Sequence, residues 1–442
     1  MPSTDFTQAL TLLFAALILL KLALQVSLLT RQARHVRLHQ SQVPTAFADR
    51  ISLASHRKSA DYTVALTQLG LASALLEAVA LIGWTLFGGL DALNHALRSA
   101  LHDAHPDALH AMAYQVALLL GFMFIGSLIE WPLDLVRHFV VERRFGFNRM
   151  TLRLYLADTV KSLVIGLLMG VPLIALVLWI MGRAGPGWWL WAFGAIAGFQ
   201  LLMVLIYPTW IAPLFNRFTP LSDPALEARV RALMERCGFQ AQGLLVMDGS
   251  RRSAHANAYF TGLGRSKRVV FFDTLLQRLS PEEVEAVLAH ELGHFRKRHI
   301  TQRLVLMLGV LLLMLAALGA LSQTPVFFAA LGTSPNLTAP NDALALILFM
   351  LALPVVTFLL SPLGAWWSRR HEYEADAYAA HQAQASALGS ALVKLHQDNA
   401  ATLTPDPWYV RFHYSHPPAL QRLRALGLAA PPANMTSSAV VA

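Results

Sequence analysis

Cysteine is almost absent from this sequence of 442 residues, which contains only Cys237. A single cysteine excludes an intramolecular disulfide framework, and it also excludes a zinc site built from several thiolates. Any metal ion in this protein must therefore be held by histidine, aspartate or glutamate side chains.

Charged residues are also scarce, at 14% of the chain, whereas 55% of the residues are hydrophobic. This composition excludes an ordinary soluble protein and indicates an integral membrane protein. The net charge of +9 does not indicate a nucleic-acid partner, because the basic residues are scattered through short loops and form no nucleic-acid-binding motif. We therefore expect a lipid bilayer, and no nucleic acid, as the environment of the chain.

Seven apolar stretches are long enough, or nearly so, to cross a bilayer, which takes about 20 residues each. They lie near residues 9–29, 64–90, 109–135, 163–181, 188–207, 304–321 and 343–363. The first is expected to be a retained span rather than a cleaved signal peptide, because its apolar run is long and no basic cluster precedes it.

Arginine and lysine alternate between the connecting segments. They are frequent after the first, third, fifth and seventh spans, and rare or absent after the second, fourth and sixth. Because positive loops stay on the cytoplasmic side, this alternation predicts an N-terminus outside and a C-terminus in the cytoplasm. The membrane would be the inner membrane if the source is bacterial and the endoplasmic reticulum if it is eukaryotic.

The spans divide the chain into five parts. We predict an N-terminal membrane region with five spans (1–215), a cytoplasmic segment (216–302), spans six and seven (303–363), a C-terminal segment (364–428) and a disordered tail (429–442). The cytoplasmic segment combines a predicted helix with short β-forming runs near 244–247 and 268–272. The predicted fold class is an all-α polytopic membrane protein with a small cytoplasmic α+β domain.

A helix predicted to begin after Ser280 carries the motif HELGH. Ser280 is the expected N-cap, and Glu283 follows it at the spacing of a capping box. His290 and His294 are four residues apart, so they share one face and can bind the same metal ion. Glu291 can reach a water at that ion without being a ligand. The alternative is a helix that merely exposes two histidines.

A second polar stretch, SRRHEYEAD at 368–376, follows the seventh span. A catalytic zinc site needs three protein ligands and an open position, and His, His and Glu form one common set. Glu372 can be the third ligand while Asp376, on the same helix face, accepts a hydrogen bond from a ligand imidazole. Glu374 and Asp376 remain alternative ligands. A charged, solvated helix paired with neighbouring arginines is the other interpretation.

Six ordered stretches resemble the integral-membrane gluzincin zinc proteases, specifically the type I CAAX prenyl proteases and more distantly the membrane protease HtpX. They are RRFGFNRMT (143–151), YPTWIAPLFNRFTP (207–220), NAYFTG (257–262), HELGH (290–294), SRRHEYEAD (368–376) and YSHPPALQRL (414–423). The resemblance implies that the seven helices enclose a hydrated chamber. Such a chamber would account for Glu77 and Glu130, which lie inside predicted spans.

The resemblance also implies roles for individual residues. The matched zinc ligands are His290, His294 and Glu372, the matched catalytic glutamate is Glu291, and a matched histidine near the zinc, His416, is a candidate to stabilise the oxyanion. Substrate is implied to lie along a strand formed by Asn257, Ala258, Tyr259 and Phe260. Arg369 and Asp376 are implied to be partners of the ligands.

The expected function is that of a zinc metalloendopeptidase with one Zn²⁺ per chain, acting as a monomer on a peptide or protein. Zinc polarises the scissile carbonyl, and Glu291 transfers a proton from water to the leaving amine. The resemblance implies prenylated proteins with a C-terminal CAAX sequence as substrates. The alternatives are a quality-control protease that does not require prenylation, and a zinc-binding transporter or scaffold. Glu291 favours a protease, because neither metal binding nor transport requires it.

Overall fold

The computed structural model describes residues 4–240, 243–261 and 268–429. The predicted disordered tail lies outside the described residues, apart from Ala429. Gly262, the last residue of the NAYFTG stretch, also lies outside them.

Helices dominate the first half of the chain. They are α1 (Thr4–His39), α2 (Leu53–Trp84), α3 (Gly89–Leu101), α4 (Ala108–Leu135), α5 (Arg143–Phe145), α6 (Leu152–Arg183), α7 (Trp188–Ile206) and α8 (Ala212–Phe215). Two π-helical segments, Val136–Glu142 and Tyr207–Ile211, continue α4 and α7.

The second half alternates strands with helices and then returns to long helices. Its elements are β1 (Phe218–Pro220), α9 (Pro224–Arg236), β2 (Gly243–Met247), β3 (Ala258–Thr261), β4 (Arg268–Phe272), α10 (Asp273–Leu276), α11 (Pro281–Arg296), α12 (His299–Leu321), α13 (Pro325–Ala330), α14 (Asp342–Gln382), α15 (Ala385–Asp398), α16 (Pro407–His413) and α17 (Ala419–Ala425).

Seven helices in the described residues are long and apolar enough to cross a membrane, which confirms the predicted number. Several run well past the predicted apolar stretches; α14, for example, continues to Gln382. A helix satisfies its own backbone hydrogen bonds both in lipid and in water, so it does not have to end where the apolar residues end. Residues 368–376 therefore lie on a polar extension of α14 that directly continues its membrane-crossing part.

Glu77 and Glu130 line a cavity of about 350 Å³ between α1, α2, α4 and α14. Lys21 of α1 lines the same cavity and forms an ion pair with Glu77. Placing these groups around a cavity, and pairing two of them, lowers the cost of ionisable side chains inside membrane helices. The hydration of this space remains a prediction, and so do the predicted boundaries of the five parts of the chain.

The described strands form one small sheet in the order β1-β2-β4-β3. β2 pairs with β4 in parallel, whereas β1 pairs with β2 and β3 with β4 in antiparallel fashion. β3 is therefore an edge strand. Its side chains and those of β4 belong to an apolar cluster that also includes residues of α9, α11 and α15.

Helix α11 begins as predicted. Ser280 and Glu283 form both hydrogen bonds of a capping box. Farther along, α11 lies directly against α14 because Gly293 has no side chain: a Cβ at this position would come within 3.0 Å of Ala375 Cα. Gly293 therefore permits the close approach of α11 and α14, the two helices that carry the HELGH motif and Glu372.

Candidate active site

Three side chains from α11 and α14 converge. His290 Nε2 lies 3.2 Å from His294 Nε2 and 3.4 Å from Glu372 Oε2, and His294 Nε2 lies 3.3 Å from Glu372 Oε1. Glu372 is 2% exposed, and its Oε2 has no hydrogen-bond partner among the described residues. The structure thus places a buried carboxylate against both imidazoles of the HELGH motif.

The other nitrogen of each imidazole already has a partner. His290 Nδ1 lies 2.9 Å from Asp376 Oδ1, and His294 Nδ1 lies 3.0 Å from His299 Nδ1. Because a carboxylate accepts hydrogen bonds, the proton of the His290 ring belongs on Nδ1, and the lone pair on Nε2 faces Glu372.

A metal ion bound between these groups would satisfy the lone pairs that neutral imidazoles and the Glu372 carboxylate turn towards one another in a buried site. Ligands bound tetrahedrally to zinc at about 2.0–2.1 Å are separated by about 3.3–3.4 Å, which matches the observed distances of 3.2–3.4 Å. The donor set therefore fits a single metal ion, and these three residues form a metal-compatible cluster in the described part of the chain.

Glu291 lies beside this cluster and lines a cavity of about 120 Å³ together with His290, Glu372, Asn257 and His416. Burial raises the pKa of the Glu291 carboxyl above its ordinary value, and the neighbouring His290 and His294 act in the opposite direction. A carboxyl group with a raised pKa that faces the cavity is suited to accept and return a proton.

The edge strand β3 begins at the same cavity, which Asn257 and Ala258 both line. Asn257 accepts a hydrogen bond from Phe272 N, and Tyr259 is in register with Val270. Because antiparallel hydrogen bonds alternate along a strand, the backbone groups of Ala258 and Phe260 point away from β4. Among the described strands none pairs with this edge, so a peptide can pair with it. The Phe260 ring packs against Phe239, with ring centroids 5.0 Å apart.

His416 lines the same cavity, and Arg369 contacts the backbone of the segment that leads to it. His416 Nε2 is 3.5 Å from Glu372 Oε1, and its side chain is 64% exposed. Arg369 Nη1 donates hydrogen bonds to the backbone oxygens of Val410 and Tyr414, at 3.0 Å and 2.7 Å. Arg369 was expected beside a ligand, but the structure places it on the backbone that leads to His416. It can thus influence the site through the position of that segment.

Arg422 of α17 is buried against Asp376 and was not among the predicted site residues. Its Nε and Nη2 donate to the two Asp376 oxygens at 2.7 Å and 2.5 Å, and its Nη1 lies 4.0 Å from Glu372 Oε2. Burial would lower the pKa of this guanidinium, but the Asp376 carboxylate outweighs that effect and raises it. Arg422 therefore supplies fixed positive charge to a site rich in carboxylates.

Two profiles of known families match the chain: the N-terminal domain of CAAX prenyl proteases, with five membrane helices, at residues 32–217, and peptidase family M48 at residues 220–429. A CAAX prenyl protease 1 homolog of Oryza sativa subsp. japonica is 35% identical over 325 residues, covering 73% of this chain and 75% of the relative. CAAX prenyl protease 1 of Saccharomyces cerevisiae is 32% identical over 417 residues, covering 89% and 90%. The chain belongs to the CAAX prenyl protease family of M48 metallopeptidases.

The fold of this family member agrees with a solved structure. The crystal structure of S. mikatae Ste24p matches it with a TM-score of 0.86 and 30% sequence identity, covering 94% of this chain and 99% of that chain. The resemblance found in the sequence is thus confirmed, and so are the predicted integral membrane fold and the metallopeptidase class.

The M48 protease has two residues at its site that sequence reasoning missed, Arg422 and His299. Arg422 lies within the YSHPPALQRL stretch, but an arginine on a short helix is typical of a surface position. His299 follows the HELGH motif by five residues, which is not a helical spacing for a shared face. It reaches His294 because Arg298 adopts a left-handed conformation, with φ of 58°, between α11 and α12.

Replacing Arg422 with methionine is expected to destabilise the protein by about 3–5 kcal/mol, because it leaves the buried Asp376 carboxylate without its ion-pair partner. The free energy of unfolding of Arg422→Met in detergent measures this effect. Arg231→Met is the matched control, since Arg231 is half exposed and pairs with Glu227 on the surface of α9. Equal stability of Arg422→Met and the wild type would show that Asp376 does not need this partner.

Proposed function

We propose that this M48 protease is a zinc metalloendopeptidase that cleaves near the C-terminus of prenylated CAAX proteins. The observation that carries the proposal is the convergence of His290, His294 and Glu372 beside Glu291, in a cavity that meets the free edge of β3. The names of the relatives, CAAX prenyl protease 1 and its homologs, support the substrate class.

In this proposal His290, His294 and Glu372 hold one zinc ion per chain. Bound zinc acts as a Lewis acid on the scissile carbonyl and lowers the pKa of water towards about 7. Glu291 faces the same cavity, so its carboxylate is placed to take the proton of the attacking water and to return it to the leaving amine.

Other side chains in and around the cavity are placed to stabilise the charge of the transition state or to orient the residues that act on the substrate. His416 and Asn257 both line the cavity and carry hydrogen-bond donors that can face the negative charge developing on the carbonyl oxygen. Asp376 fixes His290 with its Nδ1 protonated, and Arg422 holds Asp376 in place through two hydrogen bonds. Arg369 positions the segment that carries His416.

A lipid-modified C-terminus suits this location. The metal-binding part of α11 leads into the membrane helix α12 after a single turn at Arg298, and Glu372 lies on the extension of the membrane helix α14. The site therefore lies at the end of two membrane helices, where a peptide can reach β3 while its prenyl group stays in an apolar environment. Backbone pairing with an edge strand then recognises the peptide without requiring a particular sequence.

Cleavage of a farnesylated CAAX peptide by the purified protein tests the proposal. We expect release of the C-terminal tripeptide, its loss with a zinc chelator, and its return when zinc is added. The unprenylated peptide is the matched control, and cleavage of both at equal rates would instead support a quality-control protease. In sealed vesicles, we expect cleavage only when the cytoplasmic face is accessible; cleavage from the opposite face would overturn the proposed orientation.

A further inference from the structure

The Nδ1 atom of His294 forms its hydrogen bond with another histidine and not with a carboxylate. His294 Nδ1 lies 3.0 Å from His299 Nδ1, and His299 Nε2 lies 3.1 Å from Glu374 Oε2. His290, in contrast, meets Asp376 without an intermediate. The two histidines of the HELGH motif are therefore supported in different ways, one by a carboxylate and the other by a histidine followed by a carboxylate.

The hydrogen bond between the two Nδ1 atoms requires one donor and one acceptor. If His294 Nε2 holds a metal ion, its lone pair faces the ion, and the proton of the neutral ring lies on Nδ1. His294 Nδ1–H then donates to His299 Nδ1, which leaves the proton of His299 on Nε2. That N–H donates to Glu374. A single assignment of protons therefore gives one donor and one acceptor to each hydrogen bond between His294, His299 and Glu374.

The surroundings hold the His299 ring in this orientation. His299 is 1% exposed, and His371 stacks on it with ring centroids 3.9 Å apart and an angle of 4° between the planes. Glu374, at 36% side-chain exposure, is also bound by Arg370, whose Nε lies 3.2 Å from Oε1. A buried imidazole thus connects His294 to a carboxylate near the protein surface.

We propose that His299 and Glu374 form a positioning relay that fixes the tautomer and ring orientation of His294 for metal binding. The relay rests on the proposed function, because it presupposes that His294 is a metal ligand. Carboxylates that orient a ligand imidazole strengthen metal binding, and their loss weakens it by about 10–100-fold. Neither His299 nor Glu374 contacts the metal position itself, so their effect is exerted through His294.

Zinc affinity measured by competition with a chromogenic chelator tests the relay. His299→Phe keeps an aromatic ring to stack on His371 but removes both hydrogen bonds, and we expect zinc affinity to fall by about 10–100-fold. His299→Asn retains an acceptor close to the position of Nδ1, so we expect it to lose less. His371→Phe is the matched control. It makes the same substitution in the ring that stacks on His299, keeps the stacking, and leaves both hydrogen bonds of the relay in place, so we expect wild-type zinc affinity.

Three results would overturn the relay: wild-type affinity in His299→Phe, equal losses in His299→Asn and His299→Phe, or an equal loss in His371→Phe. Should His299→Phe not fold, Glu374→Ala breaks the same relay from the surface. Glu227→Ala is its control, because it removes a surface carboxylate of α9 that pairs with Arg231 and takes no part in the relay. In cobalt-loaded protein, we also expect the visible absorption bands to shift in His299→Phe and not in His371→Phe. A wild-type protein that binds no zinc would refute the proposed function rather than the relay.

Discussion

Glu291→Gln is expected to retain zinc and to lose peptidase activity by about 10²–10⁴-fold, the usual contribution of a general acid–base group. Glutamine has nearly the same shape as glutamate, so the cavity shared with Asn257 and His416 should persist. It cannot accept and return a proton, however. The turnover number on the farnesylated peptide and the zinc content per chain, measured on the same preparation, test both parts of the expectation.

Glu282→Gln provides the matched control for this experiment. Glu282 lies in the first turn of the same helix, about half exposed, and pairs with Arg229 on the surface. We expect this variant to keep both zinc and activity. Full activity of Glu291→Gln would rule out its role as the general base, and loss of zinc in that variant would show that Glu291 supports the metal site directly.

Glu372→Ala is expected to lose zinc, because it removes the carboxylate that faces both His290 and His294 at 3.3–3.4 Å. The loss of a metal ligand should weaken affinity by more than the 10–100-fold or so seen when an outer partner is removed. Zinc content by elemental analysis after dialysis measures the change, and peptidase activity should fall in parallel.

A control for Glu372→Ala removes a carboxylate elsewhere, outside the helices that can cross the membrane. Glu227→Ala is suitable, since Glu227 pairs with Arg231 on the surface of α9. Its zinc content should match that of the wild type. Unchanged zinc content in Glu372→Ala would rule out Glu372 as the third ligand. The two alternatives that the sequence left open, Glu374 and Asp376, are instead paired with His299 and with the Nδ1 atom of His290.

Much of the architecture was predictable because its signals are local. The seven apolar runs are set by the thickness of the bilayer, and each satisfies its backbone within one helix, so length and composition were enough to count them. The capping box at Ser280 and the i, i+4 spacing of His290 and His294 depend only on the geometry of a single helix. Helix ends were less predictable, because α14 continues through the polar residues that follow its apolar stretch.

The arrangement around the metal-compatible cluster depends on residues far apart in the chain. The sequence singled out Glu372 and Asp376 through a resemblance and a shared helix face, but their approach to α11 depends on the contact between Gly293 and Ala375. Arg422 could not be assigned from its neighbours in the sequence, because its partner Asp376 lies 46 residues away on another helix. The five-residue spacing between His294 and His299 likewise did not predict their contact, which depends on the left-handed conformation of Arg298.

The sequence by itself determined the membrane class, the number of spans and the chemical groups available for metal binding, because these follow from composition and from the periodicity of single helices. Only the tertiary structure decided which groups meet: Asp376 with His290 and Arg422, and His299 with His294 and Glu374. The physical reason is that hydrogen bonds and ion pairs depend on distances of about 3 Å. Such distances between separate helices are set by packing, which no local pattern in the sequence specifies.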